Sequence, residues 1–544
     1  MGCSSSKGNL VRVDLPEATS PDDVDFSLNE PLLLRLVSAC NMPSMDLTSE
    51  SDVYAIVSLT PKDAKKPSAT HKWPVRWDAT NPLWDSCRLF SAPNPIKGSD
   101  KIDLRFLDCD DNPNPLDGDD LIGTASCSVA QLPVGKQVTL PIGLSASANR
   151  YTSDTGAASC VVMRESATMA PPRKTIYIVR HGESVWNKAQ NDKDVVAMLS
   201  DVDHPLNEMG RAQAEGLRGA LAAAVASGAP VPAATAVAAP AAASTPEQLA
   251  AAGIVEDARS AGLDTSKAVP AWLANLDLPA PTAAALRAAV EAVAEVAPEV
   301  DARAPSVVEP AAVEPAISPV SSMTDEAQRL LRAELIMCSP LTRAIETCLI
   351  GLQPLLLPAH PVEGGSAAET GSSGRHGVLL NPNLREKRNF GGKDSSGKWV
   401  GSAIQSGVHA ELTKLYADTP SVAESLKKVP LELSYVQNQW WLGSKESEKH
   451  VAERIGELLA QVRFAPQRSI VLVGHSHYFR ELLRHFRSDQ CVALDASGFP
   501  IEPKDLDAKK LSNAGIARVE LDFEASEVTP VREFQLLFQT ELIK

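Results

Sequence analysis

The sequence predicts a multidomain protein in which an antiparallel β-sandwich precedes an α/β domain with a long, largely disordered insertion. Its 544 residues exceed what one hydrophobic core usually organises. Short apolar segments separated by Pro, Asn, Asp and Gly give way, from Arg173 onward, to alternating strand and helix signals. A third observation is the Ala- and Pro-rich tract at 227–322, whose low hydrophobic bulk predicts no packed core.

Composition limits the functions that the chain can perform. The 52 Lys and Arg residues are outnumbered by 68 Asp and Glu residues, which gives a net charge of −16. Nucleic acid would be repelled by this charge, so we expect none among the partners. The nine cysteines are scattered and form no CxxC pair, which favours a reducing cytosol. No strongly apolar run of about 18 residues occurs, so we predict no membrane-spanning helix.

The first segment, 1–27, is predicted to be an acylated flexible N-terminus. Its opening letters, MGCSSSK, fit the myristoylation pattern with Gly2 as the acceptor. Cys3 is a candidate palmitoylation site, and a second chain matters because one myristoyl chain binds membranes with only about 10⁴ M⁻¹. Two chains would hold the protein at the cytoplasmic face of a membrane, with the plasma membrane as the first candidate. An ordinary disordered polar tail is the alternative.

Residues 28–145 are predicted to form the antiparallel β-sandwich. Short strands, beginning with PLLLRLV at 31–37, are separated by turn-forming residues. Aspartates cluster in two separated segments, NMPSMDLTSESDVY at 41–54 and FLDCDDNPNPLDGDDLIG at 106–123. Together with TNPLW at 80–84, these segments resemble a C2 domain.

The C2 resemblance implies a calcium site and a lipid partner. The family's calcium-ligand positions are all aspartate in this sequence: Asp46, Asp52, Asp108, Asp110 and Asp120. Calcium takes roughly six to eight oxygen ligands, mostly from carboxylates and carbonyls. Bound calcium would reverse the local charge, so the loop tips could approach anionic membrane phospholipids. The alternative is a calcium-independent C2 domain whose aspartates are solvated turn residues.

The remaining segments are a linker and the α/β domain. Residues 146–172 are dominated by Ser, Ala, Thr and Gly and are predicted to be a linker. The α/β domain is expected over 173–544, with a helix from Gly210 to about Ala226 before the insertion at 227–322. Within the insertion, short helices are predicted near 246–261 and 282–296, and a regulatory partner site there is one interpretation.

Three predicted strands of the α/β domain end in residues that suit phosphoryl chemistry. The apolar runs at 176–179, 335–338 and 469–474 predict buried parallel strands. Ligands of open α/β sheets bind beyond the carboxyl ends of such strands. At the first of these ends, His181 could attack a phosphorus atom while the guanidinium of Arg180 grips the phosphoryl oxygens.

Four motifs in this region resemble the histidine phosphatase superfamily, whose fold is the three-layer α/β phosphoglycerate-mutase-like fold. The motifs are RHGESVWN at 180–187, HPLNEMGRAQA at 204–214, SPLTRAIET at 339–347 and VGHS at 473–476. The resemblance implies a phosphohistidine formed on His181, with Arg180, Arg343 and His475 facing the phosphoryl oxygens. It also implies that no metal or other cofactor is required for catalysis.

The same resemblance assigns the remaining site residues. The segment NLREKRNFG at 383–391 corresponds to the family's proton-donor loop, which makes Glu386 the general acid and base. Asp394 is the reserve candidate for this role. Asn187 and Ser184 are further phosphate contacts by resemblance, although Ser184 could equally be a helix cap.

These expectations combine into a membrane-associated phosphomonoester hydrolase, and two alternatives stay open. A phosphoglycerate-type mutase would use the same motif residues, and it differs in keeping its phosphohistidine away from water. A non-catalytic, calcium-responsive membrane adaptor would not need the complete set of Arg180, His181, Arg343 and His475. The sequence leaves the phosphorylated substrate open, either a small molecule or a phosphoprotein.

Overall fold

The computed structural model describes most of the chain outside the insertion, over residues 27–28, 31–45, 50–109, 119–151, 157–166, 170–194, 196, 198, 201–226, 323–357, 377–387, 393–441 and 446–543. These residues all belong to one compact unit. The predicted acylation sites Gly2 and Cys3, the two predicted insertion helices, and the aspartates Asp46 and Asp110 lie outside the described residues.

The N-terminal region folds as an antiparallel β-sandwich, as predicted. Its strands are β1 (Ser27–Leu28), β2 (Leu32–Cys40), β3 (Val53–Thr60), β4 (Ala69–Arg76), β5 (Leu83–Phe90), β6 (Ile96–Lys97), β7 (Lys101–Asp108), β8 (Asp120–Ser128), β9 (Gln137–Pro141), β10 (Gly143–Leu144) and β11 (Ser159–Glu165). A five-stranded sheet of order β10-β8-β7-β3-β4 packs on a four-stranded sheet of order β5-β2-β11-β9. Between them, Trp73, Trp84 and Phe106 are fully buried.

The predicted linker over 146–172 is wrong for its central part. Residues 159–165 form β11, which pairs antiparallel with β2 on one side and β9 on the other. Cys160 and Val162 alternate into the sandwich core, where both are fully buried. The strand follows a stretch rich in Ser, Ala, Thr and Gly, and this composition hid its alternating apolar pattern.

The C-terminal domain alternates strands and helices. Its strands are β12 (Arg173–Arg180), β13 (Leu335–Cys338), β14 (Val378–Leu380), β15 (Leu431–Glu432), β16 (Ser469–Gly474), β17 (Arg487–Leu494), β18 (Lys510–Leu511), β19 (Ile516–Asp522), β20 (Val531–Leu537) and β21 (Leu542–Ile543). Its helices are α1 (Val185–Asp192), α2 (Glu208–Ala226), α3 (Met323–Leu330), α4 (Thr342–Gly351), α5 (Gln353–Leu356), α6 (Ser402–Leu415), α7 (Pro420–Leu426), α8 (Glu448–Phe464), α9 (Ser476–Phe486) and α10 (Pro503–Ala508). Short 3₁₀ helices lie at Pro382–Leu384, Lys393–Ser395 and Ser434–Val436 in this domain, and at Val129–Gln131 and Ala148–Tyr151 in the N-terminal region.

An eight-stranded sheet of order β15-β14-β13-β16-β12-β19-β20-β17 forms the middle layer of this domain. The strands from β15 to β12 run parallel, and β19 pairs antiparallel with β12. Alternate residues of β12 face opposite cores: Tyr177 and Val179 join the cluster that contains α2, α4 and α6, whereas Ile176 and Ile178 join the one that contains α8 and α9. Helices therefore cover both faces of the sheet, which makes three layers.

Within the described residues, no helix combines the length and the apolar character needed to cross a bilayer.

Candidate active site

Three neighbouring parallel strands deliver the candidate residues to one edge of the sheet. The strands β13, β16 and β12 are adjacent, and their carboxyl ends lie together. The backbone nitrogen of His181 donates to the carbonyl oxygen of Gly474 at 3.0 Å, and that of Ser339 donates to Val473 at 2.9 Å. The residues that follow each strand are thereby held in register.

His181 is buried and lies in direct contact with the next candidate, Arg343. Its Nδ1 is 2.6 Å from the carbonyl oxygen of Gly182, which can only accept, so Nδ1 carries the proton. The lone pair is therefore on Nε2, and Nε of Arg343 lies 3.3 Å from it. Burial lowers the pKa of His181 well below its usual value, and the charges of Arg343 and Arg180 lower it further. The ring is neutral at physiological pH.

His475 completes a pair of imidazoles. Its ring centroid is 4.9 Å from that of His181, and its Nε2 lies 2.8 Å from Oγ of Ser339. Burial lowers the pKa of His475 well below its usual value, and the charge of Arg343 lowers it further. The Nδ1 atom of His475 has no hydrogen-bond partner among the described residues.

Arg180 and Arg343 supply positive charge beside these rings. Arg343 is 1% exposed. Its Nη1 donates to the carbonyl oxygen of Asp394 at 2.9 Å and lies 3.0 Å from the Oδ1 atom of the same residue. Arg180 donates through Nη1 to the carbonyl oxygen of Leu511. Burial lowers the pKa of Arg180 to about 10, so this guanidinium stays charged at neutral pH.

Two carboxyl groups lie near the guanidinium groups. Glu386 is 8% exposed, and its Oε1 accepts from the backbone nitrogens of Lys387 at 2.8 Å and Tyr478 at 3.1 Å. Its charge raises the pKa of Arg180 against the larger, opposite effect of burial. Asp394 contacts Arg343, and burial raises the pKa of the Asp394 carboxyl. Both candidates for the general acid thus lie beside the cationic cluster.

Ser184 and Asn187 cap the N-terminus of α1. Ser184 is the N-cap of α1, and its Oγ accepts from the backbone nitrogen of Asn187 at 3.2 Å. The Oδ1 atom of Asn187 accepts in return from the backbone nitrogen of Ser184 at 3.2 Å. This reciprocal capping fixes the chain immediately after the Arg180-His181-Gly182 segment.

Two glycines allow the motif at 180–187 to pack closely against the motif at 204–214. A Cβ atom on Gly210 would lie 2.1 Å from the carbonyl oxygen of Glu183, and one on Gly182 would lie 2.7 Å from that of Gly210. No side chain fits at either position, so α2 packs directly against the backbone that carries His181.

Sequence reasoning missed two hydroxyl groups of the site. Ser339 contacts His475, and Oγ1 of Thr347 accepts from the backbone nitrogen of Gly182 at 2.9 Å. Both lie in the motif SPLTRAIET. Their spacing, at the strand end and one turn into α4, was the available signal.

The acidic loops of the sandwich are only partly described. Asp108 Oδ1 accepts from the backbone nitrogen of Asp52 at 2.7 Å, and Asp52 Oδ1 accepts from that of Asp78 at 2.7 Å. Asp120 is exposed at the start of β8. In the part of the chain that the structure describes, no group of three or more His, Cys, Asp or Glu residues could hold a metal ion. Asp52, Asp108 and Asp120 do not by themselves fit a calcium site.

Taken together, the second domain is a phosphatase- or mutase-like catalytic module on a three-layer α/β fold. The family model of the Histidine phosphatase superfamily (branch 1) matches residues 176–248, and that of the C2 domain matches residues 31–143. The chain therefore carries a C2 domain followed by a histidine phosphatase superfamily domain. The two resemblances are confirmed, and so is the predicted order of an antiparallel β-sandwich followed by a three-layer α/β domain.

Solved structures similar to the chain share little of its sequence. A C2 domain of plant Extended Synaptotagmin 1 matches at 17% identity over 25% of this chain and 92% of that chain, with a TM-score of 0.20. Human GIVD cytosolic phospholipase A2 matches at 22% identity over 25% of this chain and 16% of that chain, with a TM-score of 0.19. Such low scores carry no argument about function. No curated protein matches the chain significantly.

Proposed function

We propose that this protein is a phosphomonoester hydrolase that acts through a phosphohistidine on His181 and works at a membrane surface. The observation that carries the proposal is the buried, neutral imidazole of His181, whose Nε2 lone pair faces the guanidinium of Arg343. A neutral imidazole is a competent nucleophile, and the adjacent positive charge suits a phosphoryl group.

The mechanism follows from this arrangement. Nε2 of His181 attacks phosphorus, the Nε2–P bond forms, and the bond from phosphorus to the leaving oxygen breaks. Arg180, Arg343 and His475 stabilise the phosphoryl oxygens during the in-line transfer. Protonated Glu386 gives its proton to the leaving oxygen. It then takes a proton from the water that attacks phospho-His181, which releases inorganic phosphate and restores the free imidazole.

The first test is His181→Ala with p-nitrophenyl phosphate. Removal of the nucleophile is expected to lower kcat by about 10⁴-fold or more, because the variant has no group to carry the phosphoryl intermediate. Acid-labile labelling by a radioactive phosphomonoester, trapped by rapid denaturation in the wild type and absent from the variant, checks the intermediate itself. Turnover retained by His181→Ala would overturn the proposal.

Three alternatives concern the catalytic domain. A phosphoglycerate-type mutase would exchange phosphate between phosphoglycerate isomers without releasing it, and an exchange assay with free-phosphate detection separates the two enzymes. If Asp394 rather than Glu386 donates the proton, Asp394→Asn will lower turnover of a poor leaving group more than Glu386→Gln does. A non-catalytic adaptor would show no phosphohistidine and no turnover.

Attachment to a membrane is proposed from the C2 domain and the N-terminal sequence. Gly2→Ala is expected to move the protein from the membrane fraction to the soluble fraction, since it removes the myristoyl acceptor. Calcium binding stays a prediction, and titration calorimetry of the full-length protein with calcium chloride tests it. Anionic vesicles with and without calcium then test whether anionic phospholipid is the partner.

A further inference from the structure

The helix α8 carries a buried arginine whose role the mechanism leaves open. Arg454 is 4% exposed and lies between the core residues Val451 and Leu458 on the inward side of the helix. A charged side chain in such a position is costly unless every polar atom finds a partner. A buried arginine among aliphatic residues is therefore expected to have a specific set of partners.

Among the described residues, Arg454 donates hydrogen bonds to one acid, Glu446, and to the backbone of one loop, 383–385. Its Nε and Nη2 donate to the two carboxylate oxygens of Glu446 at 2.9 and 2.8 Å, a paired geometry that fixes the plane of the guanidinium. Its Nη1 donates to the backbone carbonyl oxygens of Asn383 and Arg385, each at 2.8 Å. Arg454 thus grips the backbone immediately before Glu386.

Glu446 extends this grip to the side chain of the same loop. Its Oε1 also accepts from Nη2 of Arg385 at 2.8 Å, and its side chain is fully buried. One carboxylate therefore joins two arginines, one on α8 and one next to Glu386. The Arg454–Glu446–Arg385 triad leaves the loop little freedom to rotate, because backbone and side chain are both held.

The guanidinium of Arg454 also fixes the residue that binds Glu386 directly. It stacks over the ring of Tyr478 with 4.7 Å between its central carbon and the ring centroid. The backbone nitrogen of Tyr478 donates to Oε1 of Glu386 at 3.1 Å. The guanidinium of Arg454 therefore contacts both the backbone just before Glu386 and Tyr478, the residue whose backbone nitrogen donates to the Glu386 carboxyl.

We propose that Arg454 is a positioning residue that holds the Glu386 carboxyl in line with the leaving oxygen of the substrate. This inference rests on the proposed function, in which Glu386 is the general acid. Arg454 does not contact the phosphoryl group; it acts through the loop at 383–386 and through Tyr478. Lysine at this position would keep the charge and lose the fork that binds Glu446 and both carbonyls at once.

The test compares two substrates that differ in their need for an acid. The p-nitrophenolate ion leaves without protonation, whereas the leaving group of phenyl phosphate depends on a proton from the enzyme. The readout is kcat/KM, which reports phosphoryl transfer to His181 and leaves out the later hydrolysis of phospho-His181. Because general-acid catalysis contributes about 10²- to 10⁴-fold and small misplacements cost about 10²-fold, Arg454→Lys should lower kcat/KM on phenyl phosphate by about 10- to 100-fold. We expect no more than about a threefold loss of kcat/KM on p-nitrophenyl phosphate, with Glu386→Gln showing the same selectivity in kcat/KM.

Controls separate positioning from folding. Arg463→Lys changes another arginine of α8, whose Nε pairs with Glu527 at the surface, and should leave both rates unchanged. Glu446→Gln is the second variant if Arg454→Lys does not fold, and it should show the same selectivity because it weakens the same fork.

Each outcome decides between the claims. Equal losses of kcat/KM on both substrates in Arg454→Lys and Glu446→Gln, or no loss in either, overturn the positioning role. If Glu386→Gln is not selective while the wild type turns over both substrates, the acid role and this inference fail while the phosphatase stands. A wild-type enzyme that hydrolyses neither substrate overturns the proposed function itself.

Discussion

At the scale of single residues, the protonation state of His181 decides the pH range of the reaction. An ordinary histidine is half protonated near pH ~6.5. Burial lowers the pKa of His181 well below that value, and the charges of Arg343 and Arg180 act in the same direction. The nucleophilic, neutral form therefore persists as the pH falls below ~6.5.

We therefore predict that the pH–rate profile falls on the acid side at a lower pH than an ordinary histidine would give. With p-nitrophenyl phosphate, the acid limb of kcat/KM, which reports the ionisations of the free enzyme, should lie below pH ~6.5 rather than at it, since the pKa of His181 is lowered. Arg343→Gln should shift the acid limb towards higher pH, whatever its effect on the maximum rate, because one source of the lowered pKa is removed. A wild-type limb centred near pH ~6.5 would contradict the pKa assignment.

Some of these residues could be predicted from the sequence and others could not. His181, Arg343 and His475 follow strand ends or open the next helix, and parallel strands place such residues at one edge of a sheet. The contact between Asp394 and Arg343 could not be predicted, because it depends on the path of a loop without periodic signals. Ser184 illustrates a genuine ambiguity: one hydroxyl could cap a helix or bind a phosphate, and only the structure shows the cap.

At the scale of elements, α2 packs so closely against the segment at 180–183 that position 210 has no room for a side chain. Gly210→Ala would place a methyl group 2.1 Å from the carbonyl oxygen of Glu183, so the helix or the segment at 180–183 must move. We expect a loss of about 10²-fold in kcat together with a lower melting temperature, because about 1 Å of displacement suffices to misplace reacting groups.

The same helix supplies the matched control. A Cβ on Gly216 would meet nothing within 4 Å, so Gly216→Ala tests only the intrinsic preference of alanine for helix. This variant should be more stable by up to about 1 kcal/mol and should keep full activity. Similar kinetics for Gly210→Ala and Gly216→Ala would show that the close packing of α2 is not needed for catalysis.

A helix or strand could be predicted from the sequence where its apolar residues recur with a clear helical or strand period. The helical spacing of Val451, Ile455, Leu458 and Val462 is typical of a core-facing helix, and all four residues are buried in α8. The same pattern places Arg454 at the edge of the inward side, although the apolar residues alone do not mark it. The strand β11 was missed for the opposite reason, since the composition around it resembles a linker.

At the scale of the whole molecule, an ion pair joins the two domains. Arg76, at the end of β4 in the C2 domain, places Nη2 2.5 Å and Nη1 3.3 Å from the two carboxylate oxygens of Glu457 on α8. The Glu457 side chain is fully buried, whereas that of Arg76 is 18% exposed. Nearby, the hydroxyl of Tyr435 in the catalytic domain donates to Asp85 of β5 at 2.8 Å. The C2 domain is thus tied to the helix that carries Arg454.

The last prediction concerns this pair. Arg76→Ala leaves the buried carboxylate of Glu457 without its partner, so we expect the free energy of unfolding to fall by about 3–5 kcal/mol. The exposed pair of Lys101 and Asp103, 2.6 Å apart within the C2 domain, gives the control, since Lys101→Ala should cost about 1 kcal/mol or less. Replacing both Arg76 and Glu457 with methionine should recover most of the loss, because neither member of the pair is then left as a buried charge without its partner. Denaturant unfolding of the full-length variants measures all three changes. If Arg76→Ala costs no more than Lys101→Ala, the ion pair does not hold the C2 domain on α8, and the two domains must be joined by other contacts.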